Sequence, residues 1–87
     1  MVNISKFVSV CENNKVKEVR RMISEGVNIN GVDSYGVTGL IVAMMRGNTE
    51  VSRMLLSYNN IKIDIKNDFG WTALHYACYY NHLERVK

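Results

Sequence analysis

The strongest constraint on this chain is that it repeats itself. A shift of 34 lays NDFGWTALHYACYYNHLERV over DSYGVTGLIVAMMRGNTEVS and pairs Gly70 with Gly36, Thr72 with Thr38, Leu74 with Leu40, Ala77 with Ala43 and Glu84 with Glu50. A shift of 33 lays a weaker copy, SKFVSVCENNKVKEVRRMISEG, under TGLIVAMMRGNTEVSRMLLSYN, with Ser5 under Thr38, Phe7 under Leu40, Met22 under Leu55 and Ile23 under Leu56. The phase changes where SEGVNIN becomes SYNNIKID, which marks Asn60 as a single residue inserted in a loop. A unit this short cannot bury its apolar face alone, so neighbouring copies must stack to make a core.

Each copy reads as turn, short helix, loop, longer helix. Thr38 and Thr72 precede apolar periodic segments, where a hydroxyl accepts from an orphan backbone N–H and starts a helix. His75 lies three positions after Thr72, the spacing at which a side chain reaches back to the cap. Asn48, followed by Glu50, reads as the cap of the second helix, and His82 takes the same place in the third copy. The first helices carry Leu40, Ala43 and Met44, or Leu74, Ala77 and Cys78, at the spacing of one buried stripe. The second helices carry Val16, Val19, Met22 and Ile23, or Val51, Met54, Leu55 and Leu56, leaving Lys17, Arg20 and Arg53 for solvent. Gly26 ends its helix in a left-handed conformation, and Asn59 is expected to replace it in the second copy. VNIN and IKIDI are expected to be extended, and DSYG and NDFG to turn the chain, with Gly36 and Gly70 supplying positive φ.

A period of 33 to 34 with a Gly-x-Thr-x-Leu-His core resembles the ankyrin repeat, and GWTALHYACYYNHLERV carries that pattern most fully. The second copy, GVTGLIVA, keeps Gly, Thr, Leu and Ala but not His; the first keeps the helical pattern and EGVNIN. The competing helical repeat of the same period lacks the Gly-x-Thr-x-Leu-His turn. The resemblance implies an all-α fold, an ankyrin-repeat α-solenoid of stacked helix-turn-helix units with β-turn or hairpin loops. The expected division is an N-terminal capping repeat at 1–32, a second repeat at 33–66, and a third at 67–87 truncated in its second helix. Lys6, Ser9 and Glu12 make the outer side of the first copy polar, as a cap requires. At the other end Leu74, Cys78 and Leu83 would face an unfinished layer. The chain is then either a piece of a longer array, such as a regulatory segment of a multidomain protein, or one that associates with a second copy.

Composition closes off other classes. A net charge of +3 comes from Lys and Arg scattered singly or in short pairs such as Arg20-Arg21, so no nucleic-acid arm is expected. No apolar run approaches the ~18 residues of a membrane span, and no leader pattern precedes the first copy. An intracellular location is expected, cytoplasmic first with the nucleus open. Cys11 and Cys78, near opposite ends of the chain, have no ligand spacing and read as buried free thiols. His75 and His82 lack the companions zinc requires, and no nucleophile and base recur at motif spacing. The expectation is therefore no cofactor, no metal and no catalysis.

In proteins this chain resembles, turns and first helices form one side of the stack, and that side binds other proteins. The positions left free there are Ser34, Tyr35, Val37, Met45 and Arg46 in the second copy and Asp68, Phe69, Trp71, Tyr79 and Tyr80 in the third. They are rich in the residue types enriched at interface centres. Two other readings stay open: these rings cover neighbouring turns, or they cage a methylated ammonium or a peptide motif, although Asp68 is the only acidic group among them.

Overall fold

The computed structural model describes residues 3–79, which form five helices with no strand among them. α1 (Ile4–Glu12) and α2 (Val16–Ser24) make the first unit, α3 (Gly39–Arg46) and α4 (Thr49–Leu56) the second, and α5 (Ala73–Tyr79) opens the third. α3 lies between α1 and α5, each helix packed against the next, and α2 meets α4 beside them. The expected second helix of the third copy, with His82 and Leu83, lies outside the described residues.

Capping chemistry sets where the helices begin. Thr38 is extended and its hydroxyl accepts from the Ile41 amide at 3.0 Å. In the third copy the bond is reciprocal: the His75 amide donates to the Thr72 hydroxyl at 3.3 Å, and the Thr72 amide donates to His75 Nδ1 at 2.9 Å. His75 thus completes a capping box, with an imidazole in the place usually taken by a carboxylate.

α3 is buried on every side from Gly39 to Met44 because it is the middle layer. Phe7, Val8 and Cys11 of α1 press on it from one direction, Val51 and Leu55 of α4 from another, and Ala73 and Ala77 of α5 from the far side. Gly39 is required here, since a Cβ at that position would stand 2.7 Å from Cys11 Sγ and 3.0 Å from a Phe7 ring carbon. Burial among these side chains pushes the Cys11 thiol up to about 12.

Loops carry the links between units. Asp33 and Asn67, one period apart, each organise a turn. Asp33 Oδ1 accepts from the amides of Tyr35 and Val37 at 2.8 and 3.0 Å. Gly36 and Gly70 close the two turns with φ of 75° and 80°. The turns also touch, the Asp68 amide donating to the Tyr35 carbonyl at 3.4 Å. Further out, Asn30 donates to the carbonyl of the inserted Asn60 and accepts from the Lys62 amide, both at 2.8 Å. On the outer side Lys17, Arg20 and Arg53 are exposed as expected. Arg21 bridges Glu18 and Glu25 there, and its hydrogen bond and charge hold the Glu18 carboxyl below the usual carboxylate range.

Several local expectations are corrected. Asn48 makes no side-chain cap; its Nδ2 donates to the carbonyls of Cys11 and Glu12, both at 2.8 Å, and so closes the end of α1 across the layer. Asn59 is not left-handed. The non-glycine residue with positive φ among those described is Asn14, at 56°, in the tight turn between α1 and α2. α4 ends instead on Ser57 in a right-handed conformation, its amide shared among the last carbonyls. VNIN runs into a turn at Ile29 and Asn30, and IKIDI is unpaired backbone with a bend at Ile63, so neither joins a strand. Cys78 is exposed, and the buried stripe of α5 is Ala73 and Ala77, with Leu74 51% exposed. α5 faces α3 with its small residues, so the bulky ones at intervening positions point away. Leu56, at the C-terminal end of α4, is likewise exposed.

Candidate interaction site

The side chains left over by this packing are concentrated on the third turn and α5. Phe69, at the tip of the turn, is 83% exposed, and Tyr79, at the end of α5, is 69% exposed. Trp71 is half-buried between them, its ring centroid 5.4 Å from that of Tyr79 at an interplanar angle of 72° and 4.8 Å from that of Tyr76 at 45°. Trp71 also lies 6.2 Å from the His75 ring. Phe69, Trp71, Tyr76 and Tyr79 together line an open depression of about 360 Å³.

The residue that builds this arrangement is Asn67. It is nearly buried, and every hydrogen-bonding group it owns is directed at the site. Its Oδ1 accepts from the amides of Phe69 and Trp71 at 2.9 and 3.0 Å. Its Nδ2 donates to the Tyr76 hydroxyl at 2.8 Å. Its backbone amide donates to the Trp71 carbonyl at 2.9 Å, and its carbonyl accepts from Gly70 at 2.9 Å. One side chain therefore fixes the turn that carries Phe69 and Trp71 and the ring of α5 that flanks them.

Asn67 and Tyr76 are the site residues that sequence reasoning passes over. A signal for the first exists: Asx side chains at 33 and 67 recur one period apart at the start of a Gly-containing turn, where they hydrogen-bond their own backbone two positions on. Tyr76 offers less, since its counterpart Val42 is an ordinary buried residue of α3.

The other expected positions divide. Ser34 and Tyr35 are exposed at the tip of the second turn, beside the third, and Asp68 is exposed next to Phe69. Val37 and Met45 are half-buried against the core. Arg46 is exposed but engaged, pairing with Glu12 of α1 across the layer. It thus ties two units together as well as facing solvent. Tyr80 lies outside the described residues. Among those described, no helix is long and apolar enough to cross a membrane, and no group of three or more His, Cys, Asp or Glu could hold a metal.

Comparison with known proteins agrees with the layered fold. A family model for ankyrin repeats matches residues 7–87 as three copies. The chain is 36% identical over 78 residues to the BTB/POZ domain-containing protein 1 of Schizosaccharomyces pombe, covering 84% of this chain and 6% of that protein. It is 35% identical over 71 residues to the human ankyrin repeat domain-containing protein 13C, covering 79% of this chain and 13% of the relative. It is 29% identical over 84 residues to the Notch-regulated ankyrin repeat-containing protein of Xenopus laevis, covering 92% of this chain and 73% of the relative. The chain thus spans a small fraction of the first two relatives. Ankyrin repeats are general protein-protein interaction modules and a non-enzymatic fold. With three repeats matched across almost all of its length, this chain belongs to the ankyrin-repeat family.

Proposed function

We propose that this chain is a non-catalytic interaction module that takes a protein partner on the side formed by its turn tips and inner helices, centred on Phe69, Trp71 and Tyr79. The observation that carries this is the exposure of Phe69 and Tyr79 around a half-buried Trp71. Large rings held in fixed positions bury much area at low entropy cost, which is why such residues dominate interface energetics. Tyr35, at the tip of the neighbouring turn, extends the same surface. Partners captured by crosslinking to the wild-type chain are to be compared with those captured by Phe69→Ala/Tyr79→Ala, with thermal unfolding measured on both. The expected result is an unchanged midpoint and loss of the specific partners, at more than about 1 kcal/mol per ring. A double variant that keeps every partner would refute the assignment.

A second surface supports self-association. Leu40, Met44, Leu56, Ile63, Ala73 and Leu74 line an apolar slot of about 140 Å³ between α3, α4 and α5. Ile63 and Leu74 stand exposed at its rim. Light scattering at high protein concentration decides this reading, and a clean monomer rejects it.

A further inference from the structure

We propose that Asn30-Gly31 is a self-modification site gated by the fold: Asn30 converts to aspartate or isoaspartate when the loops of the first and second units part, and the product keeps them apart. This is the one Asn-Gly pair in the 87 residues. The structure supplies each half of the pair for a separate reason. Asn30 stitches the two units, its Nδ2 donating to the Asn60 carbonyl and its Oδ1 accepting from the Lys62 amide, both at 2.8 Å. Gly31 is buried, and a Cβ there would press on Ile4 Cδ1 and stand 3.1 Å from the Asn28 carbonyl oxygen. The stitch therefore sets an asparagine side chain directly before a residue with no Cβ to shield its backbone nitrogen.

The reaction needs no enzyme, and its only co-reactant is water. The Gly31 backbone nitrogen gives up its proton and bonds to Asn30 Cγ, while the Cγ–Nδ2 bond breaks and Nδ2 leaves as ammonia, closing a succinimide ring. Water then adds to one of the two ring carbonyls and that carbon's bond to nitrogen breaks. Opening at the side-chain carbonyl gives aspartate, opening at the backbone carbonyl gives isoaspartate, and nothing is oxidised or reduced. In the closed structure each reacting group is engaged elsewhere. The Gly31 N–H donates to the Asn28 carbonyl at 2.9 Å, so its proton and its direction are both held. The Asn30 amide donates to Asn28 Oδ1 at 3.0 Å in a local side-chain turn, which fixes the backbone before it. The Asn30 side-chain amide, which must swing toward Gly31 to react, is held at both ends by the second unit. Loops open at lower free energy than packed helices, so the rate is set by parting of the stitch. The product cannot remake it. A carboxylate oxygen replaces Nδ2 and meets the Asn60 carbonyl as acceptor against acceptor, with no proton between them. Isoaspartate also inserts a carbon into the backbone ahead of the buried Gly31, where Ile4 leaves no room.

The test ages the whole chain of 87 residues in mildly alkaline buffer, without urea and at urea concentrations spanning its unfolding transition. Peptide mapping by mass spectrometry follows conversion at every asparagine, and fragmentation tells isoaspartate from aspartate. Conversion at Asn30 is expected to be slow in buffer and about tenfold or more faster in unfolding urea, ahead of every other asparagine. Asn30→Gln, whose longer side chain closes the ring far more slowly, should leave position 30 unconverted. Two proteins then report on the product: Asn30→Asp, and the isoaspartate fraction separated by ion exchange from aged wild type. Each should unfold at lower urea than wild type, and the aged fraction supplies this readout even where Asn30→Asp does not accumulate. Equal rates at Asn30 in buffer and in urea would overturn the gating. Faster conversion at any other asparagine in urea would overturn the choice of site. Aged and substituted chains that unfold at the same urea concentration as wild type would show that the stitch survives its own chemistry, and would reject the proposal.

Discussion

Tyr76→Phe removes one oxygen atom from the site and nothing else, which makes it the sharpest probe of how the aromatic surface is held. That oxygen accepts the Asn67 Nδ2 donor at 2.8 Å, and Asn67 is only 8% exposed. A hydrogen bond of this kind contributes about 0.5–1.5 kcal/mol net, and a buried donor left without a partner costs about 1–3 kcal/mol, so Tyr76→Phe should lose about 1–2 kcal/mol. Asn67→Ala additionally frees the amides of Phe69 and Trp71, and three lost bonds put its cost at about 2–4 kcal/mol. In the double variant the bond between the two side chains can be lost only once. The cycle should therefore show a coupling of about 1 kcal/mol, separated from whatever else each side chain touches. Urea unfolding followed by the fluorescence of Trp71 and by far-ultraviolet circular dichroism measures all four proteins. For a domain of this size each kcal/mol moves the thermal midpoint by about 4–8 °C, well above error. Strictly additive losses would refute the view that Asn67 joins the turn to α5.

Three further outcomes follow from the core. Leu40 is fully buried in the middle layer, and Leu40→Ala should cost about 2–5 kcal/mol, enough to unfold much of a chain this small; a stably folded variant would contradict the register of the stack. Ser52 is fully buried with no partner for its hydroxyl, at the register where the first copy has the equally buried Val19, so Ser52→Ala should stabilise by about 1 kcal/mol in urea unfolding, and a loss would show that the hydroxyl is bonded. Thiol labelling at pH 8 should modify Cys78 quickly and Cys11 only on unfolding. The Cys11 thiol is raised from 9.0 to about 12 when folded, so the unfolded chain releases its proton first. Its contribution to stability is therefore complete below pH 9 and declines as pH rises toward 12, which alkaline unfolding of Cys11→Ala beside wild type would measure.

What can be read from the sequence is what depends on residues three or four apart. The caps at Thr38 and Thr72, the return bond from His75 and the positive φ of Gly36 and Gly70 are local chemistry, and they occur as the spacing demands. The asparagines escape such reading for the opposite reason. Asparagine caps helices, adopts the left-handed conformation and bridges loops with nearly equal ease, so its role is decided by distant neighbours. Asn48 spends its amide on carbonyls of α1 rather than on its own helix, Asn14 and not Asn59 takes the left-handed turn, and Asn30 stitches two loops together. The exposed faces of α5 escape it because a period of 3.6 names a stripe but not which residues along it the neighbouring helix covers.

The same limit explains why the aromatic positions are visible in the sequence while their arrangement is not. Aligning the copies shows that Val37, Val42 and Met45 of the second unit become Trp71, Tyr76 and Tyr79 in the third. In the middle layer these registers lie buried or half-buried against the core, where aliphatic side chains suffice. In the third unit all three carry rings, and the rings contact one another around Trp71. Among the described residues the three enlargements stand together on one side of a short helix and its turn. Restoring the second unit's residues, Trp71→Val, Tyr76→Val and Tyr79→Met together, is thus the most direct separation of fold from function. The helical signal should survive, with a loss of stability no larger than that of Asn67→Ala, while every ligand of the depression is lost. Collapse of the fold in that triple variant, with Leu40 and the rest of the core untouched, would mean that the rings belong to the architecture and not to a binding surface.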